Sequence, residues 1–103
     1  MPDETYPATV GANGRAKVTI KPTENVLWIV SQVSVEIAAA PVGATCTLRK
    51  NGTFISALIP TGDAAGGDPP IPVTQSNQMT VEWAGCTPGQ TGTVFVVYDQ
   101  EAR

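Results

Sequence analysis

The sequence predicts one all-β domain, an antiparallel β-sandwich of the jelly-roll type. Charged residues make up only 15% of the 103 residues, against about 25% in an average protein. Gly and Pro occur 10 and 9 times, a composition that favours short strands joined by turns. Several segments alternate apolar and polar residues, whereas a helical period is absent from the sequence. The length is that of a single domain.

The domain is predicted to begin after an extended N-terminal arm. Residues 1–12 are mostly polar and include Pro2 and Pro7, which disfavours a regular helix or central strand. Residues 13–99 then form the β-sandwich, and residues 100–103 form a polar C-terminal tail.

Alternation predicts the first two strands of the sandwich. After the turn signal Asn13-Gly14, Ala16, Val18 and Ile20 share one face of a half-buried strand. The longest run, 26–38, is predicted to direct one parity inward: Leu27, Ile29, Val33, Val35 and Ile37. Trp28 and Val30 have the other parity, and in a two-sheet fold they are expected mostly inside as well.

A hairpin is predicted around Asn51-Gly52, because both residues tolerate the positive φ angles of a type I′ turn. A two-residue loop sets the predicted pairs Lys50–Thr53, Leu48–Ile55, Cys46–Ala57 and Ala44–Ile59. In this register Phe54 and Leu58 lie on the face away from the core. Two interpretations stay open for them, namely packing beneath the following loop and an exposed apolar patch that meets another protein.

The segment Pro60–Pro72 is predicted to be a long surface loop, because prolines and glycines interrupt it. Asp63 and Asp68 fit either a Ca²⁺ site or simple solvation of a Gly-rich loop, and the spacing of an EF-hand is missing.

The last part of the chain predicts a second hairpin. Met79, Val81 and Trp83 are expected to point inward, and Thr87–Gln90 has the Pro-Gly centre of a type II turn. The run Val94–Tyr98 is apolar on both faces and is therefore expected in the middle of a sheet.

Cys46 and Cys86 are the only cysteines in the sequence. Cys46 has inward parity, and Cys86 is expected beside the core near Trp83. Free thiols are the favoured interpretation for a protein made in a reducing compartment, with a Cys46–Cys86 disulfide as the alternative. A metal site is disfavoured, since the sequence contains no His to complete the ligand set.

Charge and motifs argue against several classes of function. The net charge of −3 is opposite to what a nucleic-acid-binding protein needs. The longest apolar run, Val26–Val30, is too short to span a membrane, and the N-terminus lacks the pattern of a secretory signal. Synthesis in the cytoplasm is therefore expected. The sequence has no recognisable nucleotide-binding or nucleophile motif, so neither an enzyme nor a cofactor is expected.

The sequence resembles a group of small β-sandwich structural proteins from tailed phages that infect actinobacteria. The resemblance covers about residues 13–98 and is carried by NGRAKVTIKP, NVLWIVSQVSVEI, TCTLRKNG and QMTVEWAGCTPGQTGTVFVVY. It implies a virion protein made in the host cytoplasm, most simply a decoration (cement) protein on the outer surface of the capsid. The implied partners are the major capsid protein and neighbouring copies of this chain, for example in trimers.

On this interpretation the arm and the outer face of the hairpin contact the partner. The residues expected to do so are Tyr6, Pro7, Val10, Phe54 and Leu58. The alternative is a minor tail or fibre-associated module that binds a host or glycan ligand, for which Trp28, Trp83, Tyr98 and Phe54 would surround a shallow groove.

Overall fold

Two four-stranded antiparallel sheets pack face to face, as the sequence predicts. The computed structural model describes residues 3–23 and 25–102, with the backbone alone at 66–70 and 102. The strands are β1 (Asp3–Thr9), β2 (Ala16–Ile20), β3 (Val26–Ile37), β4 (Thr45–Lys50), β5 (Thr53–Leu58), β6 (Gly62–Val73), β7 (Met79–Ala84) and β8 (Thr91–Ala102). Within residues 3–23 and 25–102, no helix has the length and apolar character needed to cross a membrane.

The strand order is that of an eight-stranded jelly roll. One sheet, here the β3–β8 sheet, has the order β1-β8-β3-β6, and the other, the β4–β7 sheet, has the order β2-β7-β4-β5. The pairs β1–β8, β2–β7, β3–β6 and β4–β5 are all antiparallel. The chain is thus one long hairpin rolled over itself, with its tip at Asn51-Gly52.

The core lies between the sheets and is built largely by the alternation seen in the sequence. Ala16, Val18 and Ile20 of β2 are buried, and so are Met79, Val81 and Trp83 of β7. Val94, Val96 and Tyr98 line the inner face of β8, which lies between β1 and β3. The predictions of inward parity for β2 and β7, and of a central position for β8, are confirmed.

A bulge in β3 changes which residues face the core. The register shifts between Val30 and Gln32 against both neighbouring strands, and the hydroxyl of Ser31 donates to the carbonyl of Val97 at 3.2 Å. The extra residue reverses the parity, so Trp28 and Val30 are buried before the bulge. The core residues after the bulge are Val33, Val35 and Ile37. The inward prediction for Leu27 and Ile29 is wrong, since the bulge leaves both half-buried on the outer face.

The β4–β5 hairpin has the predicted turn but not the predicted register. Asn51 and Gly52 have φ angles of 51° and 79°, as a type I′ turn requires. Lys50 pairs with Thr53, but a shift between Leu48 and Arg49 then pairs Cys46 with Leu58. The predicted pairs Leu48–Ile55 and Cys46–Ala57 are therefore wrong, whereas Arg49 and Phe54 do lie opposite each other.

The second predicted turn is present between β7 and β8. Gly89 has a φ of 89°, and the amide of Gln90 donates to the carbonyl of Thr87 at 3.4 Å. Both features match the type II turn predicted from the Pro-Gly centre.

The predicted Pro60–Pro72 loop is instead mostly strand β6. It pairs with β3 and forms one edge of the β3–β8 sheet. Prolines are tolerated there because an edge strand has a neighbour on one side only, so half of its amide groups need no partner in the sheet.

The first and last described segments both belong to the sandwich. Residues 3–9, predicted as an arm, form β1 and pair along their whole length with β8. Residues 100–102, predicted as a tail, continue β8 opposite the start of β3. The predicted boundaries after residues 12 and 99 are therefore wrong, because main-chain pairing holds polar as well as apolar residues in a strand.

Candidate interaction surface

An apolar strip lies on the outer side of β5, at the edge of the β4–β7 sheet. Phe54 and Ile59 are both 61% exposed, and the exposed Ala57 lies between them. Phe54 is opposite Arg49, and Ala57 is opposite Thr47. We call Phe54, Ala57 and Ile59 the β5 strip.

The start of β6 holds Ile59 in place. The carboxylate of Asp63 accepts hydrogen bonds from the amides of Ile59 and Ala64, at 2.9 and 2.8 Å. These two bonds lower the pKa of Asp63 from its ordinary value, because they stabilise the charged form. Asp63 thus fixes the turn between β5 and β6.

The backbone edge of β5 differs from the other three edges of the sandwich. Its sequence, TFISAL, contains neither a charged residue nor a proline. By contrast, β1 includes Pro7 and two acidic residues, β2 carries Lys17, and β6 contains three prolines and Asp63. Charges and prolines are the usual devices that keep a foreign strand from pairing with an edge. The edge of β5 is therefore the one best suited to accept a partner strand.

The predicted partner-binding residues do not form one surface. Phe54 is exposed, as expected, but Leu58 is only 7% exposed and belongs to the core. The expectation for Leu58 is wrong because the hairpin bulge turns its side chain inward opposite Cys46. Ile59, which the predicted register directs toward the core, is instead 61% exposed.

The arm residues are likewise divided between core and surface. Val10 is 2% exposed and lies in the core, whereas Pro7 is exposed on β1. Tyr6 is half-buried and packs against the core. Burial and then the charge of Glu4 raise its pKa to about 12. Val10 and Tyr6 therefore stabilise the fold of this chain, contrary to their predicted role in an arm.

Cys46 and Cys86 are free and buried. Burial, followed by the nearby Cys86 and Asp63, raises the pKa of the Cys46 thiol to about 12. Burial also raises the pKa of Cys86. Both thiols therefore stay protonated near neutral pH and are poor nucleophiles.

The outer face of the β4–β7 sheet carries a small group of paired charges. Glu82 lies between Arg15 and Arg49, with N–O distances of 3.7 and 3.6 Å. All three side chains are partly exposed, so these pairs add little stability. In the described part of the chain, no three His, Cys, Asp or Glu side chains form a group that could hold a metal ion.

Three of the four aromatic residues proposed for a glycan groove are buried. Trp83 is fully buried, and its indole N–H donates to the carbonyl of Pro60 at 3.2 Å. Trp28 and Tyr98 stack on each other with ring centroids 4.0 Å apart, and both are at most 5% exposed. Only Phe54 is on the surface, so these residues do not surround one groove.

A small pocket of about 180 Å³ lies at the end of the sandwich where Trp28 and Tyr98 stack. Glu4 and Gln100 line it from β1 and β8, and Pro22 and Thr23 line it from the loop after β2. The indole N–H of Trp28 donates to Oε1 of Gln100 at 3.2 Å. The sequence shows each of these residues separately, but only the register of β1, β3 and β8 brings them together.

Comparison with known proteins supports the fold alone. No family model matches the sequence, and no curated protein matches it. A crystal structure of FlhE superposes with a TM-score of 0.52 and 12% sequence identity, with 100% of each chain covered. At that identity the likeness indicates a common architecture and carries no statement about activity or partners.

Proposed function

We propose that this protein is a non-enzymatic structural component of a phage virion, a decoration protein that binds the outer surface of the head. The observation that carries the proposal is the β5 strip beside an edge free of charges and prolines. An extended segment of the major capsid protein can add to this edge by main-chain hydrogen bonds. The side chains of Phe54 and Ile59 would then be covered by the same partner.

Two further observations support a virion protein. The first is the sequence resemblance to structural proteins of actinobacterial phages. The second is an analogy at the level of the fold, since jelly rolls are frequent in viral capsid proteins, and also in lectins. Burial of Trp28, Trp83 and Tyr98 leaves the glycan-binding alternative with less support, because sugar-binding sites present aromatic faces to solvent.

The proposal is tested by sedimentation with phage heads. Purified protein is mixed with tail-free heads of the phage that encodes it, and the heads are pelleted. The measured quantity is the number of protein copies bound to each head. Glu in place of Phe54 or Ile59 puts a charge into the buried contact, so we expect binding to weaken by at least about tenfold. Val42→Glu is the matched control, because Val42 is fully exposed at 108% on another loop, and it should bind like the unchanged protein.

Two results would contradict the proposal. Sedimentation with isolated tails and not with heads would place the protein elsewhere in the virion. Equal binding by the Phe54, Ile59 and Val42 variants would remove β5 as the contact surface. Thermal unfolding of each variant, followed by circular dichroism, shows that it is folded.

A further inference from the structure

The pocket beside Trp28 and Tyr98 has the composition of a site for a cation. Among the described residues that line it, Glu4 is the only charged one. The hydroxyl of Tyr98 donates to Oε1 of Glu4 at 3.4 Å, a long bond that leaves acceptor capacity on the carboxylate. Gln100 also lines the pocket, and its Oε1, which accepts from the indole of Trp28, can accept a second hydrogen bond. A ligand with several N–H donors therefore finds its acceptors in one place.

Acidic residues predominate on the strands at this end of the sandwich. Asp3 and Glu4 begin β1, and Asp99 and Glu101 lie in the last part of β8. Asp99 and Glu101 pair with Ile29 and Leu27 and share their outer face, and Lys21 precedes the lining residue Pro22. The pKa of Tyr98 is raised by burial, then by the charge of Glu4 and its hydrogen bond, and then by Asp3. The same field that disfavours a phenolate favours a positive ligand.

The volume of the pocket indicates how large a ligand it can hold. A volume of about 180 Å³ is below the roughly 300–1,000 Å³ of sites for drug-sized molecules. The pocket therefore accommodates a single amino-acid side chain better than a whole sugar or nucleotide.

We propose that this pocket binds the guanidinium group of an arginine side chain from a partner protein. A guanidinium is flat and weakly hydrated, packs on aromatic rings and donates in a fork that fits a carboxylate. Glu4 accepts the fork. Trp28 and Tyr98 stack on each other and are at most 5% exposed, so they wall the pocket without offering a free ring face. Oε1 of Gln100, which already accepts from Trp28, keeps a second acceptor site for one of the remaining donors. A lysine ammonium is more strongly hydrated and lacks the flat surface. The inference goes beyond the proposed function and does not depend on β5, since the pocket is formed by other strands.

The test is a titration with N-acetyl-arginine methylamide, followed by NMR at the indole N–H of Trp28. We expect a saturable shift of this signal and little change at the indole of Trp83, which lies in the core. The citrulline analogue has nearly the same shape without the charge and is expected to bind at least about tenfold more weakly. The lysine analogue is expected to bind more weakly than the arginine compound.

Glu4→Gln removes the charge from the pocket with little change in volume. This variant should lose about tenfold or more in affinity for the arginine compound. Glu36→Gln is the matched control, because Glu36 is exposed at the opposite end of β3, and its affinity should be unchanged. Equal shifts with the citrulline analogue, equal binding of the lysine analogue, or unchanged affinity in Glu4→Gln would each overturn the proposal. Unaltered Trp83 and backbone signals in Glu4→Gln show that the variant is folded.

Discussion

At the scale of single residues, the fully buried Trp83 leaves no room for a side chain at Gly92 on the facing sheet. A Cβ atom added at Gly92 would lie 3.0 Å from two ring atoms of Trp83, closer than ordinary packing allows. The sequence predicted that Trp83 points inward. It could not show that β8 approaches the indole at Gly92, because that contact joins opposite sheets.

Gly92→Ala is therefore expected to lower the free energy of unfolding by about 1–3 kcal/mol through overpacking. Gly62→Ala is the control, since a Cβ at Gly62 meets nothing within 4 Å. Urea unfolding followed by tryptophan fluorescence measures both variants. Equal unfolding free energies for Gly92→Ala and Gly62→Ala would show that the core rearranges to accept the extra methyl group at Gly92, and would contradict the prediction.

At the scale of elements, the sequence predicted strands well and their registers poorly. Alternation gave the inner faces of β2 and β7 correctly because both strands pair without interruption. In β3 and β5 a bulge shifts the parity. The change of phase is hidden in the sequence because residues 26–30 and 54–59 carry apolar side chains at both parities. The edge strands β1 and β6 were missed because their main-chain pairing does not depend on apolar side chains.

Removal of residues 1–9 distinguishes an edge strand from a free arm. The structure predicts a loss of about 2–4 kcal/mol in unfolding free energy, because β8 loses one of its two pairing partners and the core loses the packing of Tyr6. Removal of residues 1–2 alone is the control, because it leaves β1 complete. Differential scanning calorimetry measures the change. An unchanged Tm after the longer deletion would mean that the segment contributes nothing to the fold.

At the scale of the whole molecule, the rolled hairpin brings titratable groups from distant parts of the chain into one core or against it. Cys46 and Tyr6 both have a pKa of about 12 in the folded protein, against ordinary values of 9.0 and 10.0. A raised pKa means that the folded state holds the proton more tightly than the unfolded state does. The stabilisation is complete below pH about 9 and is lost as the pH rises toward 12.

We therefore expect the free energy of unfolding to be insensitive to these two groups up to pH 9 and to fall above it. Between the two pKa values of one group the slope approaches about 1.4 kcal/mol for each pH unit. Urea unfolding in the presence of a reductant, measured from pH 7 to 11, gives the profile. Cys46→Ala is less stable below pH 9 because it leaves a cavity, and its profile should be flatter between pH 9 and 10, so that the difference from the unchanged protein shrinks as the pH rises. A flat profile for the unchanged protein would contradict these pKa shifts.

The composition of β5 also affects the tendency of unbound copies of the protein to aggregate. TFISAL is a six-residue segment with β-branched and aromatic residues and without charge, Pro or Gly, which is the composition of segments that stack into cross-β fibrils. It lies at a sheet edge, where the folded protein already presents it in extended form. At high concentration, protein that has no partner is thus expected to aggregate through β5, the same strand that we propose binds the partner. Occupation of that edge would protect the protein as well as attach it.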